Sequence, residues 1–411
     1  MATLQPVRGT HDLWPDDARR HRHIEDTAFR IAQLYGFGEI MTPIFEFTDV
    51  FARTLGETSD VVTKEMYTFT DRSGDSLTLR PEATAGIARA FINGGQSLPR
   101  PIKLFYRGPM FRHERPQKGR LRQFHQIDAE ILGSDKPLAD AELIGMAWQI
   151  LGELGLADKV TLELNSLGSQ KDRADYREEL RAFLTGHAAA LSEDSRMRLE
   201  KNPLRILDSK DEGDRKILAD APPMSASIRE GKDFFDSVQA QLKALGIPFT
   251  INPKLVRGLD YYCHTVFEFT TTALGAQGTV LAGGRYDGLI EEMGGPKTPG
   301  VGWAAGVERL TGLLAGDLPL RRAIVVIAPG DASKGLELAD RLRRAGYSIE
   351  LDHSGKIKNA LERGVKTKAH AAIILGEDEA KRGAVALRDL DAGTQEEVKL
   401  AELEARLARF R

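Results

Sequence analysis

The stretch from Pro101 to Gly133 carries the side chains that are best suited to chemistry. Two runs of strand-forming residues flank a basic loop, residues 115–120, a pattern typical of two antiparallel strands and their connection. Side chains alternate between the faces of a sheet, so one face of the second strand carries an aromatic ring, an amide and two carboxylates, at Phe124, Gln126, Asp128 and Glu130. Because buried unpaired charge is costly, such a face is unsuited to a core wall. The pattern predicts either a site for a charged, ring-containing ligand or an edge hairpin with a solvated polar face.

Two further pairs of polar residues lie within this stretch or before it. Arg112 and Glu114 are predicted to share one face of the first strand. Glu82 and Thr84 follow a short predicted hairpin, residues 65–80, at the point where it runs into a helix. A carboxylate and a hydroxyl at such a junction can face the ammonium group of a ligand, or Thr84 can simply cap the helix.

Three glycine-containing stretches follow in the second half of the chain: LVRGLDYY, AGGRYDGL and PGVGWAAGVERL. In the first, a turn at Gly258 would project the cation of Arg257 and the rings of Tyr261 and Tyr262 from different sides of the backbone. The paired glycines of the second permit either close backbone approach to a ligand or a tight turn. In the third, a strand of small residues leads into a helix with Arg309 near its start, which favours anion binding. None of the three matches a phosphate loop or a dinucleotide fingerprint.

Length and composition restrict the class of protein. The 411 residues exceed the size at which single cores usually stop growing, so two or three domains are expected. With 41% hydrophobic and 28% charged residues the composition is globular, and no apolar run approaches the ~20 residues that a membrane span needs. The start of the chain lacks a secretory pattern and the single cysteine, Cys263, excludes an internal disulfide, which predicts a cytoplasmic protein. The net charge of −3 provides no overall attraction to polyanions, so contact with nucleic acid requires a local basic patch.

The predicted elements of the N-terminal half begin with a helix. Asp12 is its expected N-cap, and Ile24, Ala28 and Ile31 lie on its buried face. Residues 39–50 predict a strand that Pro43 restricts to an ordinary sheet edge or to a subunit boundary. Residues 170–245 are rich in helix-forming and charged residues, which predicts an inserted helical subdomain with a solvated charged face.

Strands alternate with helices in the last part of the chain, residues 321–411, which predicts an α/β domain with a largely parallel sheet. Between its second and third predicted strands, residues 354–368 form a basic stretch. Five cations there oppose the single acid Glu362: Lys356, Lys358, Arg363, Lys366 and Lys368. The basic stretch predicts contact with a phosphate backbone or, alternatively, a solvated surface.

Taken together, these segments resemble the class II aminoacyl-tRNA synthetases. FRHE at residues 111–114 resembles their motif 2, GVGWAAGVERL resembles motif 3, and the first helix with the Pro43 segment resembles motif 1. LVRGLDYY and AGGRYDGL are similar to two signatures of the histidyl-tRNA synthetase family, and VRGTHD, RPEATAG and LGEDE fit the same family. The resemblance implies an α+β catalytic domain at residues 1–320 with a class II antiparallel sheet and a helical insertion at approximately 170–245. It also implies a C-terminal α/β anticodon-binding domain at residues 321–411, and a homodimer built on motif 1.

The resemblance also implies roles for individual side chains. Contact with the reacting carboxylate and α-phosphate is implied for Arg112 and Arg257, and contact with the terminal phosphates for Arg309. The remaining ATP contacts are implied for Glu114, Arg120 and Phe124, the ring of which would stack on adenine. Binding of the histidine ammonium is implied for Glu82, Thr84 and Gln126, and binding of its imidazole for Glu130 and Tyr262, with Tyr261 lining the same pocket. Contact with tRNA is implied for Gln117, Lys356 and Lys358, whereas no role is carried over to Cys263 or His264.

The implied reaction joins L-histidine to ATP as histidyl adenylate, with release of pyrophosphate, and then transfers histidine to the 3' end of histidine tRNA. Mg2+ is expected to accompany ATP through its phosphate oxygens. The nine histidines show no metal-ligand spacing, so no metal held by the protein is predicted. One rival interpretation is a synthetase-like regulatory subunit of ATP phosphoribosyltransferase, which senses histidine without charging tRNA, and another is an unrelated nucleotide-binding scaffold.

Overall fold

The computed structural model describes residues 3–54, 61–117, 119–209, 211–224, 228, 231–256, 261–275 and 278–410. The strands are β1 Gly38–Glu39, β2 Phe45–Phe47, β3 Tyr67–Thr70, β4 Ser76–Leu79, β5 Ile102–Phe111, β6 Gln123–Leu132, β7 Thr161–Ser166, β8 Thr250–Ile251, β9 Cys263–Thr270, β10 Thr279–Arg285, β11 Gly300–Gly306, β12 Ile324–Ile327, β13 Ile349–Leu351, β14 Ala371–Ile374, β15 Ala384–Asp389 and β16 Gln395–Lys399.

The α-helices among these residues are α1 Pro15–Leu34, α2 Thr48–Ala52, α3 Thr84–Ala90, α4 Pro137–Glu153, α5 Gln170–Thr185, α6 Glu193–Lys201, α7 Glu212–Leu218, α8 Lys232–Ala244, α9 Leu289–Glu292, α10 Val307–Leu313, α11 Ala332–Arg344, α12 Ile357–Lys366, α13 Glu377–Lys381 and α14 Leu403–Leu407. Within the described part of the chain, no helix has both the length and the apolar character that crossing a bilayer requires.

The chain divides into two compact units, residues 1–316 and residues 317–411. The described strands of the first unit form a large sheet in the order β1-β5-β6-β11-β10-β9-β7-β8. The central strands from β5 to β7 pair antiparallel, whereas β1 and β8 pair parallel at the two edges. The first unit is thus organised on an antiparallel sheet, as the resemblance implied.

The predicted hairpin of residues 101–133 is confirmed as the pair β5 and β6. Their register places Leu104 opposite Glu130 and Phe111 opposite Gln123. On β6, Ile127 and Ala129 are fully buried in the main hydrophobic core, which also contains side chains of α1, α4 and α8. Gln126, Asp128 and Glu130 therefore lie on the opposite face, as the period-2 alternation predicts.

The segment that follows β5 differs from the prediction. Strand β5 ends at Phe111, so Arg112 and Glu114 lie in the connection and do not share a strand face. The Arg112 N–H donates to the Arg122 carbonyl over 2.9 Å, and the Glu114 N–H donates to the Arg112 carbonyl over 2.8 Å.

Helix α1 confirms the predicted buried face but not the predicted cap. Ile24, Ala28 and Ile31 are fully buried. The helix begins at Pro15, and Trp14, which occupies the N-cap position, makes no side-chain cap bond, so the assignment of Asp12 as N-cap is wrong. Pro15 explains the start, because its fixed φ suits the first helical turn and its missing N–H needs no partner there.

The predicted strand at residues 39–50 is wrong as a continuous element. β1 ends at Glu39, and β2 resumes at Phe45 in a separate small sheet with the order β2-β4-β3. The backbone between them bonds to a side chain instead, because the Arg80 guanidinium donates to the carbonyls of Thr42 at 2.9 Å and Pro43 at 3.2 Å. The predicted hairpin of residues 65–80 is confirmed as β3 and β4.

The segment from α5 to α8 consists mainly of helices, as predicted for residues 170–245. Asp214 is the polar centre of this segment, since its carboxylate accepts hydrogen bonds from the hydroxyls of Ser192, Ser195 and Ser209 at 2.6–2.7 Å. Burial alone would raise its pKa, but these donors outweigh burial and lower the pKa to about 2.

The second unit, residues 317–411, has the predicted α/β character but a mixed sheet. Its described strands lie in the order β13-β12-β14-β15-β16. β12 pairs parallel with β13 and β14, whereas β14, β15 and β16 pair antiparallel. The prediction of a largely parallel sheet is therefore wrong, because the connections from β14 to β15 and from β15 to β16 are shorter than the roughly dozen residues that a parallel crossover needs. The polar strand β16 (QEEVK) also lacks the apolar pattern that marked the other strands.

Candidate active site

A cavity of about 380 Å3 lies in the first unit on the polar face of β6. The side chains that line it come from β6, β9, β10 and β11 and from the segments around residues 82, 112 and 261. Of the side chains singled out in the sequence, the wall contains Glu82, Thr84, Arg112, Glu114, Arg120, Phe124, Gln126, Tyr261, Tyr262 and Arg309. Arg257 lies outside the described residues. The structure thus brings together in one cavity residues from four separate parts of the chain.

Glu130 lies directly behind the wall of the cavity and is only 1% exposed. Its two carboxylate oxygens accept hydrogen bonds from wall residues, one from the Thr84 hydroxyl at 2.6 Å and one from the Tyr286 hydroxyl at 2.5 Å. Burial raises the pKa of Glu130 to about 8, although both donors act in the opposite direction. This carboxyl therefore keeps its proton to a higher pH than an exposed glutamate does.

Glycine is required beside Glu130. A Cβ at Gly302 on β11 would overlap Oε2 of Glu130, and a Cβ at Gly283 on β10 would overlap the Gly302 carbonyl oxygen. The paired glycines of AGGRYDGL therefore lie within a strand, so the tight-turn alternative is wrong. Their small size instead allows β10 and β11 to pack closely around the buried carboxylate.

Glu82 is the second buried acid of the site, 6% exposed. It accepts a hydrogen bond from the Ala85 N–H at 2.7 Å and one from the Tyr261 hydroxyl at 3.2 Å. Burial raises its pKa, whereas the Ala85 N–H and the nearby Arg112 act to lower it. The Glu82 carboxylate therefore accepts a hydrogen bond from the first turn of α3. The alternative that Thr84 only caps this helix is wrong, because the Thr84 hydroxyl donates to Glu130.

Three tyrosines and an amide complete this end of the cavity. The ring centroid of Tyr261 lies 4.6 Å from that of Tyr262 and 5.7 Å from that of Tyr286. The Oε1 atom of Gln126 is buried and has no hydrogen-bond partner among the described residues. This amide oxygen is an acceptor available to a ligand.

Arginines surround the other end of the cavity. Arg112 donates from Nε to the Pro81 carbonyl over 2.9 Å, and its guanidinium carbon lies 5.5 Å from the centroid of the Phe124 ring. Arg309 donates to the carbonyls of Gly119 at 3.2 Å and Thr279 at 2.6 Å. Burial lowers the pKa of Arg309, and the positive charges of Arg120 and Arg112 lower it further. Three guanidinium groups therefore lie close together, an arrangement that favours an anion with several negative charges.

Glu114 offsets part of the positive charge at this end of the cavity. Its carboxylate forms an ion pair with Arg120 at 2.9 Å. Gln117 is exposed at the tip of the same connection, where it and Arg120 exchange backbone hydrogen bonds of 3.1 and 2.8 Å. The connection therefore presents an amide to solvent and a guanidinium to the cavity.

Residue spacing did not indicate a site role for Tyr286 or Arg285. Tyr286 holds Glu130, as described above, and its position within the RYDGL segment was the available signal. Arg285 is fully buried, and its Nε donates to the Asp140 carboxylate over 3.1 Å while Nη1 donates to the Ser134 carbonyl over 2.8 Å. Arg285 thus joins the end of β10 to the start of α4 and supports the site from outside.

In the second unit, the basic stretch extends over the start and body of α12. Lys356 precedes the first residue of this helix and Lys358 lies in its first turn, and both side chains are exposed. Arg363 is partly neutralised by an ion pair with Glu350. The two lysines therefore supply the accessible positive charge at the start of this helix.

An antiparallel sheet with a polar cavity between buried acids and clustered arginines is the architecture of a class II aminoacyl-tRNA synthetase. A family model described as "Histidyl-tRNA synthetase" matches residues 9–310, and one described as "Anticodon binding domain" matches residues 323–409. The chain belongs to the histidyl-tRNA synthetase family and is therefore an enzyme, which confirms the resemblance seen in the sequence.

Individual relatives match this chain over nearly its whole length. The chain is 61% identical to a histidine–tRNA ligase of Rhodospirillum rubrum over 414 residues, which cover all of both chains. It is 55% identical to that of Gluconobacter oxydans, with 98% of each chain covered. The crystal structure of the apo histidyl-tRNA synthetase of S. aureus superposes with a TM-score of 0.83 at 33% identity, over 98% of this chain and 99% of that one. The interpretation as an unrelated nucleotide-binding scaffold is therefore wrong.

Proposed function

We propose that this cavity activates L-histidine with ATP and that the enzyme then transfers the histidyl group to the 3' end of histidine tRNA. The observation that carries the proposal is the polarity of one continuous cavity. Buried acceptors and tyrosines line one end, and three guanidinium groups line the other. Histidyl adenylate has the matching polarity, because it joins a cationic amino group and an imidazole to a nucleoside phosphate.

The acidic end is the proposed amino-acid site. Glu82, Thr84 and Gln126 are proposed to bind the ammonium group. The Oε1 atom of Gln126, to which no described residue donates a hydrogen bond, supports this role. Glu130 and Tyr262 are proposed to recognise the imidazole, with Tyr261 lining the pocket and Tyr286 positioning Glu130 through the 2.5 Å hydrogen bond. A site that pairs each polar group of histidine rejects analogues that leave its own buried groups unpaired.

The basic end is the proposed ATP site. Phe124 would stack on adenine, Glu114 would accept a hydrogen bond from the adenine amino group, and Arg120 would contact phosphate. Arg112 and Arg257 are proposed to bind the reacting carboxylate and the α-phosphate, and Arg309 the terminal phosphates. Because Arg112 and Arg309 are already held by backbone carbonyls, they need little reorganisation when a ligand arrives.

In the proposed first step, a histidine carboxylate oxygen attacks the α-phosphorus of ATP. The bond from this phosphorus to the bridging oxygen breaks, and pyrophosphate leaves. Negative charge accumulates on the phosphoryl oxygens during this displacement, and fixed guanidinium groups stabilise it. Mg2+ is proposed to enter on the ATP phosphates, where it neutralises charge, and the Glu268 carboxylate in the same wall is an oxygen donor of the kind that Mg2+ accepts.

In the proposed second step, a hydroxyl of the terminal tRNA adenosine attacks the carbonyl carbon of the adenylate, loses its proton, and displaces AMP. Gln117, exposed at the tip of the connection after β5, is proposed to contact the acceptor end. Lys356 and Lys358 are proposed to contact the anticodon region through phosphates, within an anticodon-binding domain at residues 321–411. Residues 1–320 are the proposed catalytic domain, with the helical insertion at approximately 170–245.

A homodimer in the cytoplasm is the proposed form of the enzyme. Large apolar side chains are exposed on and near the small sheet of β2, β3 and β4, namely Met41, Phe45, Phe47 and Phe69. An exposed apolar group of this kind, in the segment that resembles motif 1, is suited to contact with a second copy. The single cysteine, Cys263, is buried, which suits a reducing compartment.

Two assays in series test the proposal. Histidine-dependent exchange of pyrophosphate into ATP measures the first step, and charging of histidine tRNA measures the second. Both activities are expected for this enzyme. Histidine binding without either activity would instead support the regulatory-subunit interpretation and would contradict the proposal.

A further inference from the structure

A second cluster of titratable side chains lies beside β6: His21 and His125 line a separate cavity, and Glu308 lines the edge of the candidate active site. His21 comes from α1, His125 from β6 and Glu308 from the first turn of α10. One ring nitrogen of each histidine and one carboxylate oxygen of Glu308 lie within 4.8 Å of one another. Spacing along the sequence did not indicate this group, because its members come from three distant segments.

The geometry of the cluster is suited to a metal ion. His125 Nδ1 lies 2.9 Å from Oε1 of Glu308, and the rings of His21 and His125 meet edge to face with centroids 5.4 Å apart. Ligand atoms of a tetrahedral zinc site lie roughly 3.4 Å apart, since each is about 2.0–2.2 Å from the ion. Small side-chain rotations would therefore bring all three donors to one ion.

The buried side chain of His21 supplies an independent sign that the cluster binds a ligand. His21 is only 6% exposed, and its Nδ1 atom has no hydrogen-bond partner among the residues that the structure describes. A buried polar atom without a partner is unfavourable, and an ion at this point would satisfy it. The neighbouring cavity, about 500 Å3 in volume and lined by His21, Glu25 and His125, provides a route of entry.

Two features limit the class of ion. Two imidazoles and a carboxylate are the donor set of zinc and related transition metals, whereas Mg2+ and Ca2+ prefer oxygen ligands alone. Glu25 lines the same cavity, is 8% exposed and is held by Arg22 at 2.9 Å, so it is placed as a further carboxylate near the two histidines. Backbone N–H donation from His125 to both oxygens of Glu308, at 3.0 Å each, orients that ligand.

We propose that His21, His125 and Glu308 bind a divalent transition-metal ion of the zinc class, with Glu25 or water completing the coordination. The bound ion joins α1, β6 and the start of α10, and its site is separate from the proposed ATP-bound Mg2+.

Zinc titration of the full-length, chelator-treated enzyme without nucleotide tests this proposal. Isothermal calorimetry with ZnCl2 is expected to show one ion per chain for the unaltered enzyme. His21→Phe keeps an aromatic ring beside His125 but cannot bind metal, so its zinc affinity is expected to fall at least about tenfold. His23→Phe, on the same helix and outside the cluster, is the matched control and is expected to keep the original affinity.

Thermal unfolding in EDTA shows whether each variant is folded. If His21→Phe does not fold, His21→Gln is used in its place. The visible spectrum of the Co2+-loaded enzyme provides a second measurement, with tetrahedral bands expected for the unaltered protein and for His23→Phe but not for a His21 variant. Zinc affinity that is equal in the unaltered enzyme and in a folded His21 variant would overturn the proposal. Absence of stoichiometric binding to the unaltered enzyme would overturn it as well.

Discussion

The two ends of the active-site cavity hold their polar groups in opposite ways. At the acidic end, Glu82 and Glu130 are buried and already accept hydrogen bonds from Tyr261, Thr84 and Tyr286. At the basic end, Arg112 and Arg309 are anchored by backbone carbonyls. Burial raises the pKa of both acids, whereas it lowers that of Arg309.

This difference indicates how each end recognises its ligand. Under the proposed function, the acidic end recognises histidine through matched hydrogen bonds between buried groups, where an unmatched partner is costly. The basic end, on the same proposal, uses concentrated charge, which attracts phosphate with less demand on exact donor geometry. Variants at the acidic end should therefore change selectivity for histidine, and variants at the basic end should change the rate of activation.

The largest effect is expected for Glu130→Ala. Loss of this carboxylate leaves the hydroxyls of Thr84 and Tyr286 without their acceptor and removes the proposed imidazole partner. Histidine-dependent pyrophosphate exchange should fall by at least about 10³-fold while ATP binding stays unchanged. Exchange measured over a range of histidine concentrations, with ATP binding by calorimetry, checks this expectation.

Tyr286→Phe is the milder companion to this variant, because it removes one hydrogen bond and keeps the carboxylate. The KM for histidine should rise by roughly tenfold, which corresponds to about 1.4 kcal/mol. Tyr347→Phe removes a comparable hydroxyl in the second unit and should leave exchange unchanged. Unaltered histidine turnover in Glu130→Ala would remove this residue from the proposed site.

A somewhat smaller loss is expected for Arg309→Ala. Removal of one fixed cation from a charge-stabilising site should lower the rate of pyrophosphate exchange by about 10²–10³-fold. Arg53→Ala, which removes an exposed arginine that forms a surface ion pair with Asp49, is the matched control and should have no effect. If Arg309→Ala altered only the KM for histidine, the assignment of the two ends would have to be reversed.

Stability should depend on pH through Glu130. Its folded-state pKa of about 8 exceeds the ordinary value of 4.5, so the native state binds more protons than the unfolded state between these values. Its contribution to stability is therefore complete below about pH 4.5 and is lost as the pH rises to about 8. Glu130→Gln cannot titrate, so between pH 5 and pH 8 its free energy of unfolding should rise relative to that of the unaltered enzyme by roughly 2–4 kcal/mol.

Chemical denaturation of both proteins across this pH range measures the difference. Asp128 and Glu82 remain in the variant, so their titration contributes to both curves and largely cancels. A difference that does not vary with pH would mean that Glu130 keeps an ordinary pKa in the folded protein.

The smallest effect is expected for charge reversal at Lys356 and Lys358. The double variant Lys356→Glu/Lys358→Glu should weaken tRNA binding several-fold and reduce the salt dependence of binding by about one unit of slope per lysine. Pyrophosphate exchange should not change, because neither side chain lies in the unit that holds the cavity. Equal losses in binding and exchange would show that this surface is not a tRNA contact.

Local sequence pattern was sufficient for much of the first unit. The period-2 alternation of residues 123–132 identified both the strand and its polar face, and the i, i+4, i+7 series at Ile24, Ala28 and Ile31 identified the buried face of α1. Local pattern was insufficient where the hydrogen-bond partners of the backbone come from a side chain or from a distant strand. The Thr42 and Pro43 carbonyls accept hydrogen bonds from Arg80 in the gap between β1 and β2. The antiparallel pairing of β15 with β14 and of β16 with β15 makes the predicted parallel sheet a mixed one.

The kinds of side chain in the active site, and their association with a known family, follow from composition and short motifs, because residue type limits the chemistry that is possible. Which of these side chains touch, and how deeply they are buried, follows only from contacts between distant segments. Tyr286 against Glu130, Arg285 against Asp140, and His21 beside His125 and Glu308 are contacts of this kind. Local periodicity carries no information about them, since each depends on how sheet and helices pack together in three dimensions.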